Sequence, residues 1–317
     1  MKHFTSWLSV ALTAVLMLYC SLTMAAEPVN GQFLKFDRIY GVSNMPNEYR
    51  AASEEKFKRA KDDIYPSAYG LKDLRVSGSS FFSKNEFEAL LQKIPAERKA
   101  IIVLDLRNES HGYINGHGVS WYSRYKTFNK GLSADQVDER ECALLADVKQ
   151  KGYADIAVQA KNKDIVFTVP IQVESVMTEK EYLESLGIRY FRIPIMDYTA
   201  PTNANIDRFV EFYKTLPANS WIHAHCEAGV GRTTIALSMI DMLHNAGKLS
   251  YDEIMTRQVL MGGQDVRKSA KKATDTYKTE NYPKRAEFTR RFYDYAKEHP
   301  DLSISWSQWC KEKGYVE

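Results

Sequence analysis

The segment HCEAGVGRTT (225–234) constrains this chain more than any other part of its sequence. It follows the apolar run SWIHAHC (220–226), which predicts a buried strand, and it leads into GRTTIALSMIDMLHNAG (231–247), which predicts a long helix. In open α/β sheets, ligands bind at the carboxyl ends of the strands, where this loop would lie. Its small residues let successive backbone N–H groups converge, and the helix adds the positive end of its dipole. The pattern therefore predicts a cradle for a phosphate-sized anion.

We call residues 226–232 the anion loop; between Cys226 and Arg232 it comprises Glu227, Ala228, Gly229, Val230 and Gly231. A thiol at a helix N-terminus beside a cation loses its proton readily, so Cys226 is predicted to be a thiolate nucleophile. The planar fork of Arg232 can hold two phosphoryl oxygens. Thr233 can donate to the thiolate, and His225 is expected to orient the loop. The alternative, a structural cysteine beside a glycine-rich turn, is disfavoured because Cys, Gly, Arg and Thr occur together.

The rest of the chain predicts an α/β fold with a central, mostly parallel sheet flanked by helices. Strand patterns at 99–106, 188–195 and 220–226 alternate with helical patterns. Residues 109–121 are rich in glycine and turn formers, which predicts a loop. Two further strand patterns fall within a block at about 115–175, where we expect a small β-rich insertion.

Residues 1–25 have the layout of a secretory signal peptide. A basic start is followed by an almost wholly apolar run from Trp7 to Tyr19 and then by small residues. We expect cleavage near Ala25, a mature protein of residues 26–317, and a secreted or periplasmic location without stable membrane association. An uncleaved membrane anchor is the alternative.

The charge of the chain is small, at +3, but it is unevenly distributed. Residues 267–285 are strongly basic, a pattern that attracts polyanions, although a merely solvated face is the alternative. A small polyanionic substrate is expected as the partner, and no nucleic acid. Cys142, Cys226 and Cys310 remain after cleavage, so at least one thiol stays unpaired. No Cys-x-x-Cys or His-Glu-x-x-His spacing occurs, and we expect no metal and no cofactor.

The anion loop, Cys followed by five residues, Arg and Thr, resembles the signature of the protein tyrosine phosphatase superfamily. HCEAGVGRTT is similar to the loop of the bacterial protein-tyrosine-phosphatase-like (cysteine) phytases, and the similarity extends to DLRNESHGYING (105–116), YFRIPIMD (190–197) and NIDRFVEFYKTLP (205–217). The resemblance covers most of the chain from about residue 70. It implies the superfamily fold and cysteine-dependent hydrolysis of phosphate monoesters.

The resemblance also implies a general acid on the loop after the strand that precedes the anion loop. Asp197 fits this role, because it follows YFRIPI and lies 29 residues before Cys226. A turn or capping residue is the alternative. Tyr198 comes next, where the phytases have His, and it can still hydrogen-bond a phosphate. Glu109 and His111, in the shared ESHG, are expected to form a supporting loop beside the pocket.

Phytate carries six phosphates, so its site needs cations beyond Arg232. The resemblance implies substrate contacts from Arg75, Lys163, Lys278, and Lys284 or Arg285. Lys126 falls near the position of an acidic contact residue of the phytases, and we assign it no role.

Three functions fit this sequence. The first is a phytase, which removes phosphates stepwise from myo-inositol hexakisphosphate through a phosphocysteine intermediate. The second is a secreted protein-tyrosine or dual-specificity phosphatase, since the same loop chemistry would serve. The third is a non-catalytic inositol-phosphate-binding module, which is disfavoured because Cys226, Arg232 and Asp197 are all present.

Overall fold

The computed structural model describes residues 33–58, 60, 65–160, 164–271 and 274–315. The predicted signal peptide lies outside these residues. The strands are β1 Phe33–Arg38, β2 Arg50–Ala51, β3 Val76–Ser80, β4 Ile101–Arg107, β5 His111–Ile114, β6 His117–Tyr122, β7 Tyr153–Gln159, β8 Ile165–Gln172, β9 Val176–Met177, β10 Arg189–Ile195 and β11 Trp221–Cys226. The α-helices are α1 Lys84–Leu91, α2 Ala134–Lys151, α3 Glu179–Ser185, α4 Asn203–Lys214, α5 Gly231–Asn245, α6 Tyr251–Leu260, α7 Thr276–Glu298 and α8 Trp306–Glu312.

Five strands form the central sheet, in the order β10-β4-β11-β3-β2. The first four strands are mutually parallel, and β2 pairs antiparallel with β3. Because parallel strands end at the same edge, this edge carries Ser80, Arg107, Ile195 and Cys226. The predicted α/β fold is confirmed, and the anion loop lies at the predicted end of the sheet.

Both faces of the central sheet are covered, which explains why its strands read as continuous apolar runs. On one face, Leu104 and Leu106 of β4 belong to the core that includes Ile235 of α5. On the other face, Val103 packs in a second core with Leu183 of α3. The helices that carry the site are thus fixed to the sheet from two sides.

The second sheet corrects the prediction of a loop at 109–121. Residues 111–122 form the β5–β6 hairpin, in which Ile114 pairs with His117 across the turn residues Asn115 and Gly116. Both turn residues have positive φ, as the common two-residue hairpin turns require. The sequence Asn115-Gly116 is typical of such turns and could have predicted the hairpin.

The second sheet has the order β8-β7-β1-β6-β5-β9. It contains the block expected to be β-rich, but it also takes up β1 from the N-terminal region, between β7 and β6. Its own core includes Ile114, Trp121 and Ile156. The sheet therefore joins segments that are far apart in the chain, and is wider than the predicted insertion at 115–175.

The last long helix begins earlier than the sequence suggested. The prediction was about 284–298, whereas α7 runs from Thr276 and is capped by Asp275, which accepts from the Lys278 N–H. Pro283 lies inside the helix. This extension places Lys278 in the first turn of the helix.

Within the described residues, no helix is both long and apolar enough to cross a bilayer.

Candidate active site

The anion loop is held tightly against β3. Cys226 is almost fully buried, and its carbonyl accepts a hydrogen bond from the Phe81 N–H at 2.7 Å. Gly229 has a φ of +76°, and a Cβ atom at that position would lie 2.3 Å from the Ser80 backbone nitrogen. Glycine is therefore required here by both backbone conformation and space. Thr233 Oγ1 donates to Cys226 Sγ at 3.3 Å, as the sequence suggested.

Arg232 is clamped by Glu109 in a two-bond geometry. Its Nη1 donates to Oε2 at 2.7 Å and its Nη2 to Oε1 at 3.0 Å, and Nη1 also donates to the Ile195 carbonyl at 3.1 Å. Burial alone would raise the pKa of the Glu109 carboxyl, but Arg232 and Lys126 outweigh it and hold that pKa well below its usual range. Glu109 is thus the fixed anion that orients the guanidinium. The Arg232 Nε is buried and makes no hydrogen bond with the described residues.

Asp197 follows β10 and faces this arrangement. Its Oδ1 lies 3.5 Å from Arg232 Nε, and its Oδ2 lies 2.9 Å from Lys126 Nζ. The structure therefore brings together the three side chains that the sequence singled out, Cys226, Arg232 and Asp197. Cys226 ends β11, Asp197 follows the end of β10, and Arg232 lies in the first turn of α5.

His225 lies on the opposite face of β11 from Cys226, as neighbouring strand residues must. Its Nε2 is 2.8 Å from Glu179 Oε1, and the other Glu179 oxygen is 2.9 Å from His111 Nε2. These contacts tie the strand before the anion loop to α3. His111 therefore lies on β5 beneath the sheet, and not in the pocket loop where the sequence suggested it.

Three buried groups in this network have metal-ligand atoms within 4.8 Å of one another: Asp105, His111 and Glu179. Arg192 Nε, however, donates to Asp105 Oδ2 at 2.6 Å, and the Tyr190 hydroxyl donates to the same oxygen at 2.8 Å. The Asp105 carboxylate is thus already paired. We interpret the cluster as an ion-pair network that supports β4 and β11.

Lys126 is a site residue that sequence reasoning missed. Besides Asp197, its ammonium contacts Glu227 and lies 3.6 Å from Glu109. Glu227 also accepts from Lys35 Nζ at 2.8 Å. Burial would raise the pKa of Glu227, but Lys126 and Lys35 hold it well below its usual range. No local pattern identified Lys126 or Lys35, because Lys35 reaches the site from β1 of the second sheet and Lys126 from the turn that follows β6.

Arg50 was also missed, because it comes from a region that the sequence left unassigned. Its guanidinium donates to the Gly229 carbonyl at 2.8 Å and to Thr234 Oγ1 at 3.2 Å. Burial lowers the pKa of Arg50 to about 10. Arg50 is thus a buried brace behind the anion loop, and it adds positive charge near the nucleophile.

A cleft of about 480 Å³ opens beside the anion loop. Its walls are Tyr122, Arg124, Tyr125, Lys126, Asp164, Asp197, Tyr198, Glu227, Ala228 and Lys278. Lys278 Nζ lies 4.5 Å from the ring centre of Tyr198, and Tyr125 stacks on Tyr277 at 4.3 Å. Tyr198 and Lys278, two of the predicted substrate contacts, therefore line the cleft.

Arg285 lies on α7 behind the anion loop. It is 2% exposed, and a Cβ atom on Gly231 would lie 3.3 Å from its Nη1. Its guanidinium packs over the Tyr282 ring at 4.2 Å, and its Nε and Nη2 make no hydrogen bond with the described residues. Arg285 is thus the member of the Lys284–Arg285 pair that adjoins the anion loop.

The structure places two of the expected substrate contacts, Arg75 and Lys284, away from the cleft. Arg75 is exposed just before the amino end of β3, where its carbonyl accepts a hydrogen bond from the Ile222 N–H of β11. The anion loop follows the carboxyl end of β11, at the opposite end of this pair of parallel strands. Lys284 is exposed and lines a separate pocket with Pro201. Similarity of sequence identifies a shared segment, but it does not show which side of the fold each residue of that segment faces. Lys163 lies outside the described residues.

Solved structures with similar folds match most of the chain. The tandemly repeated protein tyrosine phosphatase like phytase from Mitsuokella multacida is 36% identical, with a TM-score of 0.87 over 93% of this chain and 50% of that one. The PTP-like myo-inositol phosphatase of the same organism, in complex with myo-inositol-(1,3,4,5)-tetrakisphosphate, is 35% identical with equal coverage and TM-score. A PTP-like phytase from Bdellovibrio bacteriovorus is 30% identical, with a TM-score of 0.70 over 91% of this chain and 98% of that one.

Among curated proteins, "Effector protein hopD2" of Pseudomonas syringae pv. tomato is 30% identical over 250 residues, which cover 76% of this chain and 52% of that protein. The chain thus spans about half the length of this relative and of the Mitsuokella proteins. Residues 104–244 match the PTP-like phytase family, described as "Inositol hexakisphosphate". With a 30% identical relative aligned over nearly its whole length, this chain belongs to the protein-tyrosine-phosphatase-like phytase family.

Proposed function

We propose that this protein hydrolyses inositol polyphosphates, with myo-inositol hexakisphosphate as its main substrate, one phosphate at a time through a phosphocysteine intermediate. The observation that carries the proposal is the meeting of a nucleophile, a fixed cation and an acid at the carboxyl edge of the central sheet. Cys226 ends β11, Glu109 fixes the Arg232 guanidinium, and Asp197 Oδ1 lies 3.5 Å from Arg232 Nε. A phosphate ester bound there would meet a thiol for attack, a guanidinium for its oxygens and a carboxyl for its leaving group.

In the first step, the Cys226 thiolate attacks phosphorus as the ester P–O bond breaks. Backbone N–H groups of the anion loop and Arg232 stabilise the charge on the phosphoryl oxygens. Asp197 transfers its proton to the leaving alkoxide, so that the alcohol departs neutral.

In the second step, water attacks the phosphocysteine and the S–P bond breaks. Asp197, now a carboxylate, takes the proton from the water. The thiolate leaves toward the Thr233 hydroxyl, which lies 3.3 Å from the sulfur in the free protein. The cycle returns free phosphate and the starting thiolate.

A polyphosphate needs cations beyond those that are paired inside the site. Lys278 and Arg124 line the cleft, and Arg285 is buried beside Gly231 of the anion loop. The relative crystallised with an inositol tetrakisphosphate supports a ligand of this kind. The basic segment that includes Lys278 and Arg285 therefore has a use in binding substrate.

A second candidate is the hydrolysis of aryl phosphates such as phosphotyrosine. The cleft is walled by Tyr122, Tyr125 and Tyr198, and aromatic rings of this kind pack well against a phenyl ring. One relative of this chain is named as an effector. We rank this activity second because Lys278 and Arg124, which line the cleft beside the anion loop, would have no second phosphate to bind.

We further propose that the protein is exported, on the basis of the signal-like residues 1–25. N-terminal sequencing of material from the periplasm and the medium of the host tests this directly. A start near residue 26 in either fraction supports export, and an intact N-terminus in the cell fraction contradicts it.

The function is tested by phosphate release from purified protein without added metal. Inositol hexakisphosphate and a phosphotyrosine peptide are compared at equal concentration, with Cys226→Ser as the control. The proposal predicts faster release from inositol hexakisphosphate, abolished in the variant. Faster release from the peptide would favour the second candidate, and activity that survives in Cys226→Ser would refute the mechanism.

A further inference from the structure

Lys126 occupies a central position among the charges of the site. It is 8% exposed, and it pairs with carboxylates from three different segments: Glu109 after β4, Asp197 after β10 and Glu227 in the anion loop. Of the described residues, only Lys126 forms ion pairs with both Asp197 and Glu227. It therefore links the expected general acid directly to the loop that carries the nucleophile.

The backbone that presents Lys126 is strained. Tyr125 and Lys126 have φ values of +57° and +56°, a left-handed conformation that side chains other than glycine rarely adopt. Such strain persists only where the surroundings hold it in place, and it is concentrated at functional sites. Here the stacking of Tyr125 on Tyr277 and the hydrogen bond from its hydroxyl to Asp275 hold the turn. The chain is thus bent so that the Lys126 ammonium enters the site.

The ammonium also distinguishes the two oxygens of Asp197. An ammonium has donors only, so the Asp197 oxygen that contacts it, Oδ2, must act as an acceptor. Oδ1 is farther from its cation and accepts no hydrogen bond from Arg232 Nε, so a proton on this carboxyl is accommodated on Oδ1 and not on Oδ2. Oδ1 faces Arg232, at 3.5 Å from its Nε, where the phosphoryl group would bind.

We propose that Lys126 is a positioning residue, which holds Asp197 so that its transferable proton lies on Oδ1, toward the leaving oxygen. Lys126 itself neither gains nor loses a proton in this step. The proton moves from Asp197 to the ester oxygen as the S–P bond forms and the P–O bond breaks. The inference rests on the proposed cysteine mechanism but does not depend on which phosphate ester is the natural substrate.

The test compares two substrates that differ in how much they need a proton. Phenyl phosphate has a poor leaving group and depends on general acid catalysis, whereas p-nitrophenyl phosphate has a good one. The value of kcat/KM reports the first chemical step for both. Lys126→Met should lower kcat/KM on phenyl phosphate by about 100-fold, the lower range for loss of general acid catalysis, and should affect p-nitrophenyl phosphate far less.

Three further variants make the test specific. Lys126→Arg keeps the charge and should recover most of the activity on phenyl phosphate. Lys130→Met, at an exposed lysine four positions away, should match the wild type on both substrates. In an Asp197→Asn background, Lys126→Met should cause little further loss, because both changes remove the same interaction. If Lys126→Met does not fold, as judged by circular dichroism, Lys126→Gln replaces it.

Three outcomes would overturn the inference: equal losses on both substrates, a change in KM alone, or losses that multiply in the double variant. A change in KM alone would identify Lys126 as a phosphate ligand. A wild type that cleaves p-nitrophenyl phosphate but not inositol hexakisphosphate would refute the proposed substrate and leave this test intact. A wild type inactive on both would refute the mechanism and the inference together.

Discussion

Gly229 is predicted to be the glycine of the anion loop that tolerates substitution least. Its φ of +76° costs an alanine roughly 1–2 kcal/mol. The added Cβ would also lie 2.3 Å from the Ser80 nitrogen and 2.5 Å from the Ser79 carbonyl carbon. Both atoms are backbone in the central sheet, so the loop must move, at a cost of about 1–3 kcal/mol for overpacking. Gly229→Ala should therefore destabilise the protein by about 2–5 kcal/mol.

Gly152 provides a matched control, because it has nearly the same conformation without the crowding. It ends α2 with a φ of +69°, and nothing lies within 4 Å of its Cβ position. Gly152→Ala should cost only the conformational part, roughly 1–2 kcal/mol. The difference between the two variants isolates the steric contribution of the Gly229 site.

Urea unfolding, followed by tryptophan fluorescence, measures both free energies, and phosphate release measures the consequence for the site. Displacement of the anion loop by an ångström should lower kcat/KM about 100-fold in Gly229→Ala. Gly152→Ala should keep full activity, because its site is remote from the loop. Equal destabilisation of the two variants, together with full activity in Gly229→Ala, would refute the argument.

Three other predictions concern the charges of the site. Asp197→Asn should lower kcat/KM toward inositol hexakisphosphate by about 10²–10⁴-fold, measured by phosphate release; a loss below tenfold would contradict its role as the acid. Arg285→Ala should raise KM for the same substrate by at least about tenfold, whereas Arg75→Ala, at the opposite edge of the sheet, should leave KM unchanged. Glu227→Gln should destabilise the protein by about 2 kcal/mol at pH 7, because it removes a buried carboxylate that Lys35 and Lys126 share, although each lysine keeps another carboxylate partner. Since the pKa of Glu227 is lowered in the folded state, this stabilisation is fully present above about pH 4.3 and is lost as the pH falls below it. The gap between wild type and Glu227→Gln in urea unfolding should therefore narrow in acid, and a constant gap would contradict the assignment.

The sequence alone determined the chemistry of the nucleophile and the central sheet. The run from His225 to Thr234 is local, and its residue types dictate a turn from strand to helix around an anion. The alternation of apolar strands and helices predicted the parallel sheet because both of its faces are covered. Asp197 was found because the resemblance to the phytases implies an acid on the loop after this strand, and YFRIPI is a recognisable strand.

The tertiary structure decided which distant side chains complete the site. Lys35, Arg50 and Lys126 reach the anion loop from segments whose local pattern says nothing of their destination. Arg75 illustrates the converse: it directly precedes β3, which pairs with the strand of Cys226, but it lies at the opposite end of that strand pair. Local propensity depends on neighbours in the chain, whereas the charge balance of a buried site depends on which segments packing brings together. Strands, helices and the anion loop can therefore be predicted from the sequence, whereas the residues that balance the charge of the site can be identified only in the folded chain.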